Sequence, residues 1–143
     1  MTTKLKNKIL TTVERLKHVP NGKNKHFSFI VHRNKILSIG WNNCWKTHPI
    51  AQLCKYRFDS IHSELDAYLR YQASIQTLRD SCLINVRINR FGDIGYAAPC
   101  EKCMKWVPKI GFRKIYFSDG NGSFLSICGF RYSNSFKNKM DIF

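Results

Sequence analysis

Two short stretches decide the fold: His62-Ser63-Glu64 and, further along the chain, Pro99-Cys100-Glu101-Lys102-Cys103. Together they supply one imidazole, two thiols and a carboxylate that need not bind a metal. Histidine and cysteine are ligands that zinc prefers, and three protein ligands with a fourth position left for water are typical of a catalytic site. Zinc lowers the pKa of a water molecule that it binds, and Glu64 is close enough to His62 to carry protons. The two stretches therefore predict a catalytic metal site.

The whole composition fits one globular domain. The chain has 143 residues, of which 43% are hydrophobic, and this is enough for a single core. We expect the core to span about residues 5–128, followed by a basic, aromatic tail over 129–143. No apolar run approaches the roughly 20 residues that cross a bilayer, so no membrane is expected. The first residues lack the apolar segment of a secretory signal, so we expect a cytoplasmic protein whose cysteines are reduced.

The charge is strongly positive. The sequence contains 24 Lys and Arg residues against 9 Asp and Glu residues, which gives a formal net charge of +15. Such an excess favours a polyanionic partner, above all nucleic acid. The alternative is a solvated surface rich in lysine and asparagine. Charge alone does not distinguish DNA from RNA.

The apolar pattern predicts alternating helices and strands. Residues 2 to about 18 have helical spacing, and a second helix is expected from His62 to about Leu78. A third helix should start at Pro99, run through Trp106 and stop near Gly111. Strands are expected over His26–Arg33, Lys35–Trp41, Leu83–Arg90, Lys114–Phe117 and Ser123–Cys128, with tight turns at Arg33-Asn34-Lys35 and Asp119-Gly120-Asn121-Gly122.

Three segments leave questions open. The strand at Leu83–Arg90 has one polar face, which fits poorly with a middle strand covered on both sides. Residues 91–98 indicate a flexible approach to the second motif. The long connection from Cys44 to Ile61 interleaves basic and aromatic residues, which either bind phosphates and stack on bases or pack in a small satellite core. The isolated His26 and His32 are expected at an edge or on the surface.

The pattern H-x-E followed by P-C-x-x-C, formed by His62 to Glu64 and Pro99 to Cys103, resembles the zinc-dependent cytidine deaminase superfamily from about residue 5 to 128. The resemblance implies an α/β fold, a three-layer α/β/α sandwich around a mixed five-stranded sheet. The Gly120-Asn121-Gly122 turn leaves no room for an inserted helix, so the last strand should be antiparallel, as in the free-nucleoside deaminases. Compact bacterial and phage deaminases that act on DNA combine this topology with a basic chain.

The same resemblance assigns the site residues. His62, Cys100 and Cys103 would hold Zn²⁺ with water as the fourth ligand, and Glu64 would move protons while cytosine becomes uracil. Asn42 would bind the sugar, with Asn43 as its competitor for that role. The remaining expected substrate contacts are the backbone near Ala98 and the residues Trp41, Trp45, Tyr116 and Ser118.

Several functions remain in competition. A structural zinc site would need a fourth protein ligand, and a redox C-x-x-C would leave His62-Ser63-Glu64 unexplained. The principal hypothesis is a hydrolase that deaminates cytosine in nucleic acid, with single-stranded or flipped-out DNA favoured over RNA. The alternative is a deaminase of free cytidine, deoxycytidine or deoxycytidylate. A third hypothesis is a catalytically silent, zinc-stabilised nucleic-acid-binding protein. The sequence does not determine the oligomeric state.

Overall fold

A mixed β-sheet forms the centre of the protein. The computed structural model describes residues 1–20, 22–44, 48–56, 60–128, 130 and 139–143. The strands are β1 (Lys25–His32), β2 (Lys35–Trp41), β3 (Cys82–Ile88), β4 (Ile94–Gly95), β5 (Lys114–Ser118) and β6 (Phe124–Cys128). Their order is β2-β1-β3-β5-β6, and the short β4 pairs with β3. Only the β3–β5 pair among these is parallel, so the mixed sheet and its antiparallel last strand agree with the prediction.

Helices cover both faces of the sheet, as the sandwich predicted from the sequence requires. The helices are α1 (Thr3–Leu16), α2 (Pro49–Leu53), α3 (Ser63–Arg70), α4 (Ile75–Arg79) and α5 (Val107–Ile110), with 3₁₀ turns at Cys103–Lys105 and Lys139–Ile142. Helix α1 packs Ile9 and Val13 against Phe27 and Phe29 of β1. The other helices form a second core on the opposite face, which also buries Ile142 near the chain end.

No helix in the described ranges is both long enough and apolar enough to span a bilayer.

Both predicted hairpin turns are present. Arg33 and Asn34 have φ values of +49° and +64°, as expected for the two central residues of a type I′ turn. In the second hairpin, Oδ1 of Asp119 accepts hydrogen bonds from the backbone N–H groups of Asn121 and Ser123 at 2.7 and 3.1 Å. Local side-chain chemistry therefore fixes both turns.

Two predicted helices are wrong in extent. The helix expected from His62 to Leu78 breaks at Tyr71, whose extended backbone ends α3. A new N-cap follows at Ser74, where Oγ accepts a hydrogen bond from the Thr77 N–H at 3.1 Å and starts α4. The helix expected from Pro99 is a 3₁₀ turn followed by the separate α5, which ends at Gly111 with a φ of +83°.

The expected flexible approach to the second motif is a β-hairpin. Gly95 of β4 pairs with Arg87 of β3, and Ile94 pairs with Ile88. Oδ1 of Asn89 accepts hydrogen bonds from the N–H groups of Phe91 and Asp93 at 2.9 and 3.0 Å, which closes the turn. After the hairpin, Tyr96 pairs with Asp119 and the Ala97 N–H donates to the Ser118 carbonyl at 2.9 Å, so the chain runs beside the end of β5 before it reaches the second motif.

Helix α3 lies directly on β2 at Gly40. A Cβ atom at this position would fall on the backbone of Ala67 and Ser63. The hydroxyl of Ser38, on the same strand, donates a hydrogen bond to the Ala67 carbonyl at 2.7 Å. The depth at which α3 sits therefore depends on the absence of a side chain at residue 40.

We expect Gly40→Ala to destabilise the fold by about 3 kcal/mol or more, because the added methyl group meets rigid backbone rather than a movable side chain. Gly95→Ala is the matched control, since its nearest neighbour would be Arg87 Cδ at an ordinary 3.5 Å. Its free energy of unfolding should change by less than about 1 kcal/mol. Urea and thermal denaturation measure both; equal stability of Gly40→Ala and wild type would contradict the packing argument.

Candidate active site

Three ligand atoms converge at the amino end of α3. His62 is the N-cap residue of α3, Cys100 lies in the preceding loop of the second motif, and Cys103 starts the 3₁₀ turn. Nδ1 of His62 lies 3.4 Å from Cys100 Sγ and 3.6 Å from Cys103 Sγ. All three ligand atoms lie within 4.8 Å of one another. A tetrahedral zinc ion with ordinary bond lengths implies an N···S separation of about 3.6 Å, so the cluster could hold such an ion.

The two thiols differ in charge. Hydrogen bonds from Cys103 and His62 lower the pKa of Cys100 to about 3, against the opposing effect of burial. Burial raises the pKa of the Cys103 thiol well above its usual range. A divalent cation between the ligand atoms would favour the thiolate at both positions.

Tyr56 fixes two of the three ligands. Its ring stacks on the His62 imidazole with centroids 3.8 Å apart and planes 4° apart. Its hydroxyl lies 2.9 Å from Cys103 Sγ and accepts a hydrogen bond from Trp106 Nε1 at 3.1 Å. Burial raises the pKa of Tyr56, so the hydroxyl keeps its proton and can donate it to the sulfur. Of the two interpretations of the connection from Cys44 to Ile61, Tyr56 therefore fits packing in a core rather than stacking on bases.

Glu64 is buried beside the metal-ligand cluster and is held from below by β3. Nδ2 of Asn85 donates a hydrogen bond to Glu64 Oε1 at 3.0 Å. Asn85 is only 3% exposed, although it belongs to the face of β3 that the sequence shows as polar. Burial raises the pKa of Glu64, and its own backbone N–H and the nearby His62 act in the opposite direction. The polar face of the middle strand is thus the buried support of a carboxylate.

Ser28 fixes the orientation of Asn85. The Ser28 hydroxyl lies 2.8 Å from both the Ser63 hydroxyl and Asn85 Oδ1. Because Oδ1 can only accept, the Ser28 hydroxyl is the donor in its contact with Asn85, and the Ser63 hydroxyl can donate to Glu64 Oε2, 3.3 Å away. The Asn85 amide is then oriented with its N–H group towards Glu64. This buried chain of hydrogen bonds links β1, β3 and α3.

A cavity of 290 Å³ opens above Glu64. Its volume is at the lower end of the range for small-molecule sites, so it has room for one base and its sugar rather than a length of strand. The lining includes two candidate metal ligands, the Glu64 carboxylate and both candidate sugar contacts. The full set of lining residues is His26, Asn42, Asn43, Cys44, Ser60, Ile61, His62, Ser63, Glu64, Ala98 and Cys100.

His26 forms part of the cavity wall, which corrects the expectation of an edge or surface position. Burial is the main cause that lowers the pKa of His26 to about 4, and the neighbouring Arg87 acts in the same direction. The imidazole is therefore neutral near pH 7. Its position on β1, directly above Ser28 on the same face, was not evident from an isolated histidine in the sequence.

Asn42 and Ala98, two of the expected substrate contacts, line the cavity. The Asn42 side chain is already bonded to the backbone: Oδ1 accepts from His26 N at 2.9 Å, and Nδ2 donates to Asn24 O at 3.1 Å. Counting contacts with the described residues alone, one N–H of the amide and one lone pair of Oδ1 are left for a ligand. Asn43 also lines the cavity, so the choice between the two asparagines stays open.

Three other expected contacts lie elsewhere. The ring of Trp41 is covered by the Arg70 guanidinium at 4.3 Å. Tyr116 packs on the α1 face of the sheet, because alternation along β5 turns it away from Ile115. Ser118 is fully buried and donates to the Gly95 carbonyl at 2.6 Å. None of the three lines the cavity, and their placement does not support the predicted substrate contacts.

Part of the long connection cannot be compared with its prediction. Trp45, together with Lys46, Arg57 and Phe58, lies outside the described residues. The described part contains the short helix α2, whose Ile50 and Ala51 belong to the core beside Tyr56.

The comparisons with known proteins bear on the fold. No family model and no curated protein matches the chain. Among solved structures, it is similar to the dCMP deaminase of the cyanophage S-TIM5 in apo form, with a TM-score of 0.55 and 21% identity over 85% of this chain and 89% of that chain. The same enzyme in complex with dCMP and dUMP gives a TM-score of 0.55 and 21% identity, with 82% of each chain covered. The chain therefore has the cytidine/deoxycytidylate deaminase fold, as the resemblance of its two motifs implied.

We expect the purified protein to bind one zinc ion per chain and Cys100→Ser to lose most of that affinity, because one thiolate ligand is removed. Cys128→Ser is the control, since Cys128 is exposed on β6 and lies outside the ligand cluster. Metal analysis after dialysis and competition with a chromogenic chelator measure the affinity. Equal zinc retention by the two variants would contradict the assignment of the cluster.

Proposed function

We propose that the protein is a zinc-dependent hydrolytic deaminase that converts cytosine to uracil in a free cytosine nucleotide, such as deoxycytidylate. One observation carries the proposal: the buried carboxylate of Glu64 and ligand atoms from both motifs face the same cavity. The likeness to a phage dCMP deaminase, one structure of which contains dCMP and dUMP, supports a nucleotide as substrate.

The metal would be held by His62, Cys100 and Cys103, whose separations fit a tetrahedral ion. Zinc bound there would supply a Lewis acid that makes the attacking water more acidic. The hydrogen bond from Tyr56 reduces the negative charge on the Cys103 sulfur, and the ring stack holds His62 in one orientation. Such supporting contacts around the ligands determine their geometry and basicity.

Glu64 is the proton carrier of the proposed reaction. Water adds to C4 of the cytosine ring, and ammonia leaves, so one carboxylate must accept a proton from water and deliver protons to N3 and to the leaving nitrogen. Burial raises the pKa of Glu64, which brings the acid and base forms closer in energy near neutral pH. Asn85 holds Oε1 in place while the carboxylate faces the cavity.

Cytosine within DNA is a second candidate substrate. It is favoured by the net charge of +15 and by a basic recess of 420 Å³ beside the start of β1. The basic residues that line this recess are Lys17, His18, Lys23, Lys25 and Arg90. The likeness to a dCMP deaminase nevertheless supports the free nucleotide better than the DNA substrate that the sequence favours.

We expect the wild type to release ammonia from dCMP and Glu64→Gln to lower kcat by about 10²–10⁴, the usual contribution of a positioned proton carrier. Glu101→Gln is the matched control, because Glu101 is exposed and lies in the same second motif. An absorbance assay on dCMP and mass spectrometry of a cytosine-containing oligonucleotide compare the two substrates. Uracil formed only in the oligonucleotide would contradict the free-nucleotide proposal, and no uracil in either would contradict deamination.

We also expect Asn85→Leu to shift the acid limb of the kcat/KM profile to higher pH. The Asn85 N–H stabilises the ionised carboxylate, so its removal raises the pKa of Glu64 and leaves less base at a given pH. At neutral pH, kcat/KM should fall by about tenfold or more, as when a hydrogen bond to a charged group is lost. Asn7→Leu, at an exposed position on α1, is the control. An unshifted limb in Asn85→Leu would show that Asn85 only packs.

A further inference from the structure

Arg87 lies beside the cavity on the face of the sheet that carries the site. It is the cross-strand partner of His26, and the neighbouring pair on the same face is Ser28 with Asn85. Because side chains two residues apart on a strand share a face, Arg87 stands about 7 Å further along β3 than the residue that supports Glu64. His26 lines the cavity, and Arg87 is its cross-strand neighbour rather than one of the lining residues.

The Arg87 side chain contacts Gly95 of β4 and Asn24. Its aliphatic part packs over Gly95 of β4, where an added Cβ would lie 3.5 Å from Cδ. Its Nη2 donates a hydrogen bond to Asn24 Oδ1 at 2.8 Å. The backbone carbonyl of Asn24 in turn accepts from Asn42, which lines the cavity. One intervening residue therefore connects the guanidinium to the expected sugar contact.

The guanidinium has unused binding capacity. Within the described part of the chain, its Nε is buried without a hydrogen-bond partner, and no carboxylate lies within ion-pair distance. A partly buried positive charge without a counter-charge is costly, which favours an anion at this place. The planar fork of arginine matches the oxygens of phosphate better than other cationic side chains do.

We propose that Arg87 binds the phosphate on the 5′ side of the substrate sugar. This inference rests on the proposed function. It names Arg87 as the residue by which the site would distinguish a nucleotide, which has the phosphate, from a nucleoside, which lacks it. The cavity holds the base and the sugar, and the phosphate extends past His26 and Asn24 to the guanidinium. A phosphate monoester of a free nucleotide and the phosphodiester of a DNA strand present the same oxygens to Arg87.

The first test compares dCMP with deoxycytidine in wild type and Arg87→Gln. We expect kcat/KM for dCMP to fall by about 10- to 100-fold, the loss of a charged hydrogen bond, with little change for deoxycytidine. Arg90→Gln removes the same charge from an exposed neighbour and should retain the preference for dCMP. An equal loss on both substrates, or an unchanged ratio, would overturn the proposal for a free nucleotide. If Arg87→Gln does not fold, Arg87→Lys, which keeps the stem over Gly95, takes its place.

A second comparison identifies the source of the phosphate. A short single-stranded oligonucleotide with one cytosine is assayed with the same variants. A loss of activity in Arg87→Gln on dCMP supports a monoester ligand, and a loss only on the oligonucleotide supports a phosphodiester. No differential loss on either substrate rejects the phosphate subsite.

Binding separates this inference from the proposed activity. Calorimetric titration of the zinc-loaded Glu64→Gln protein with dCMP and with deoxycytidine measures affinity without turnover. The subsite is supported if Glu64→Gln binds dCMP more tightly than deoxycytidine and the double variant Glu64→Gln/Arg87→Gln does not. This holds even if the wild type deaminates neither compound. If dCMP binds no more tightly than deoxycytidine, or if neither binds, the phosphate subsite is rejected for a free nucleotide. The oligonucleotide is titrated in the same way, and equal affinity for the Glu64→Gln protein with and without Arg87→Gln rejects the subsite for a phosphodiester.

Discussion

The hydrogen bond between Asn85 and Glu64 is the contact on which the arrangement of the site depends. A buried carboxylate that moves protons at the bottom of a cavity needs a fixed orientation and a pKa set by its neighbours. Asn85 provides both from the middle strand, which has paired neighbours on each side. If Glu64 were elsewhere, Asn85 would be a buried amide with an unsatisfied N–H, which is costly. The positions of β3 and α3 are therefore coupled through this bond, and Ser28 extends the coupling to β1.

The sequence predicts the candidate ligands and the candidate proton carrier because their spacing is local. Cys100 and Cys103 are three residues apart and therefore lie on one turn, and Glu64 follows His62 by two residues. The strands followed from alternation, and the hairpins followed from glycine and asparagine at positions that need positive φ. These features depend on a few neighbouring residues, so they can be recognised without knowledge of the tertiary structure.

The contacts that the sequence did not predict are those between distant segments. Alternation along β3 showed that Asn85 and Arg87 share a face, but not that α3 covers the part of that face around Asn85. The same limit applies to Tyr116, whose side of the sheet depends on where α1 packs. Tyr56 and Trp106 meet the ligand cluster from segments 50 residues apart. The break at Tyr71, by contrast, has a local signal in the sequence, because Ser74 is an ordinary N-cap residue and indicates the start of a new helix.

The close approach of α3 to β2 at Gly40 also affects how this fold can diverge. Backbone atoms set the depth of the helix, so its amino end, with His62 and Glu64, is positioned by groups that every residue type possesses. Side chains elsewhere in the core can then change in size and type without displacing that end, provided that residue 40 has no Cβ. Such an arrangement leaves most of the core free to change in sequence while the amino end of α3 keeps its place.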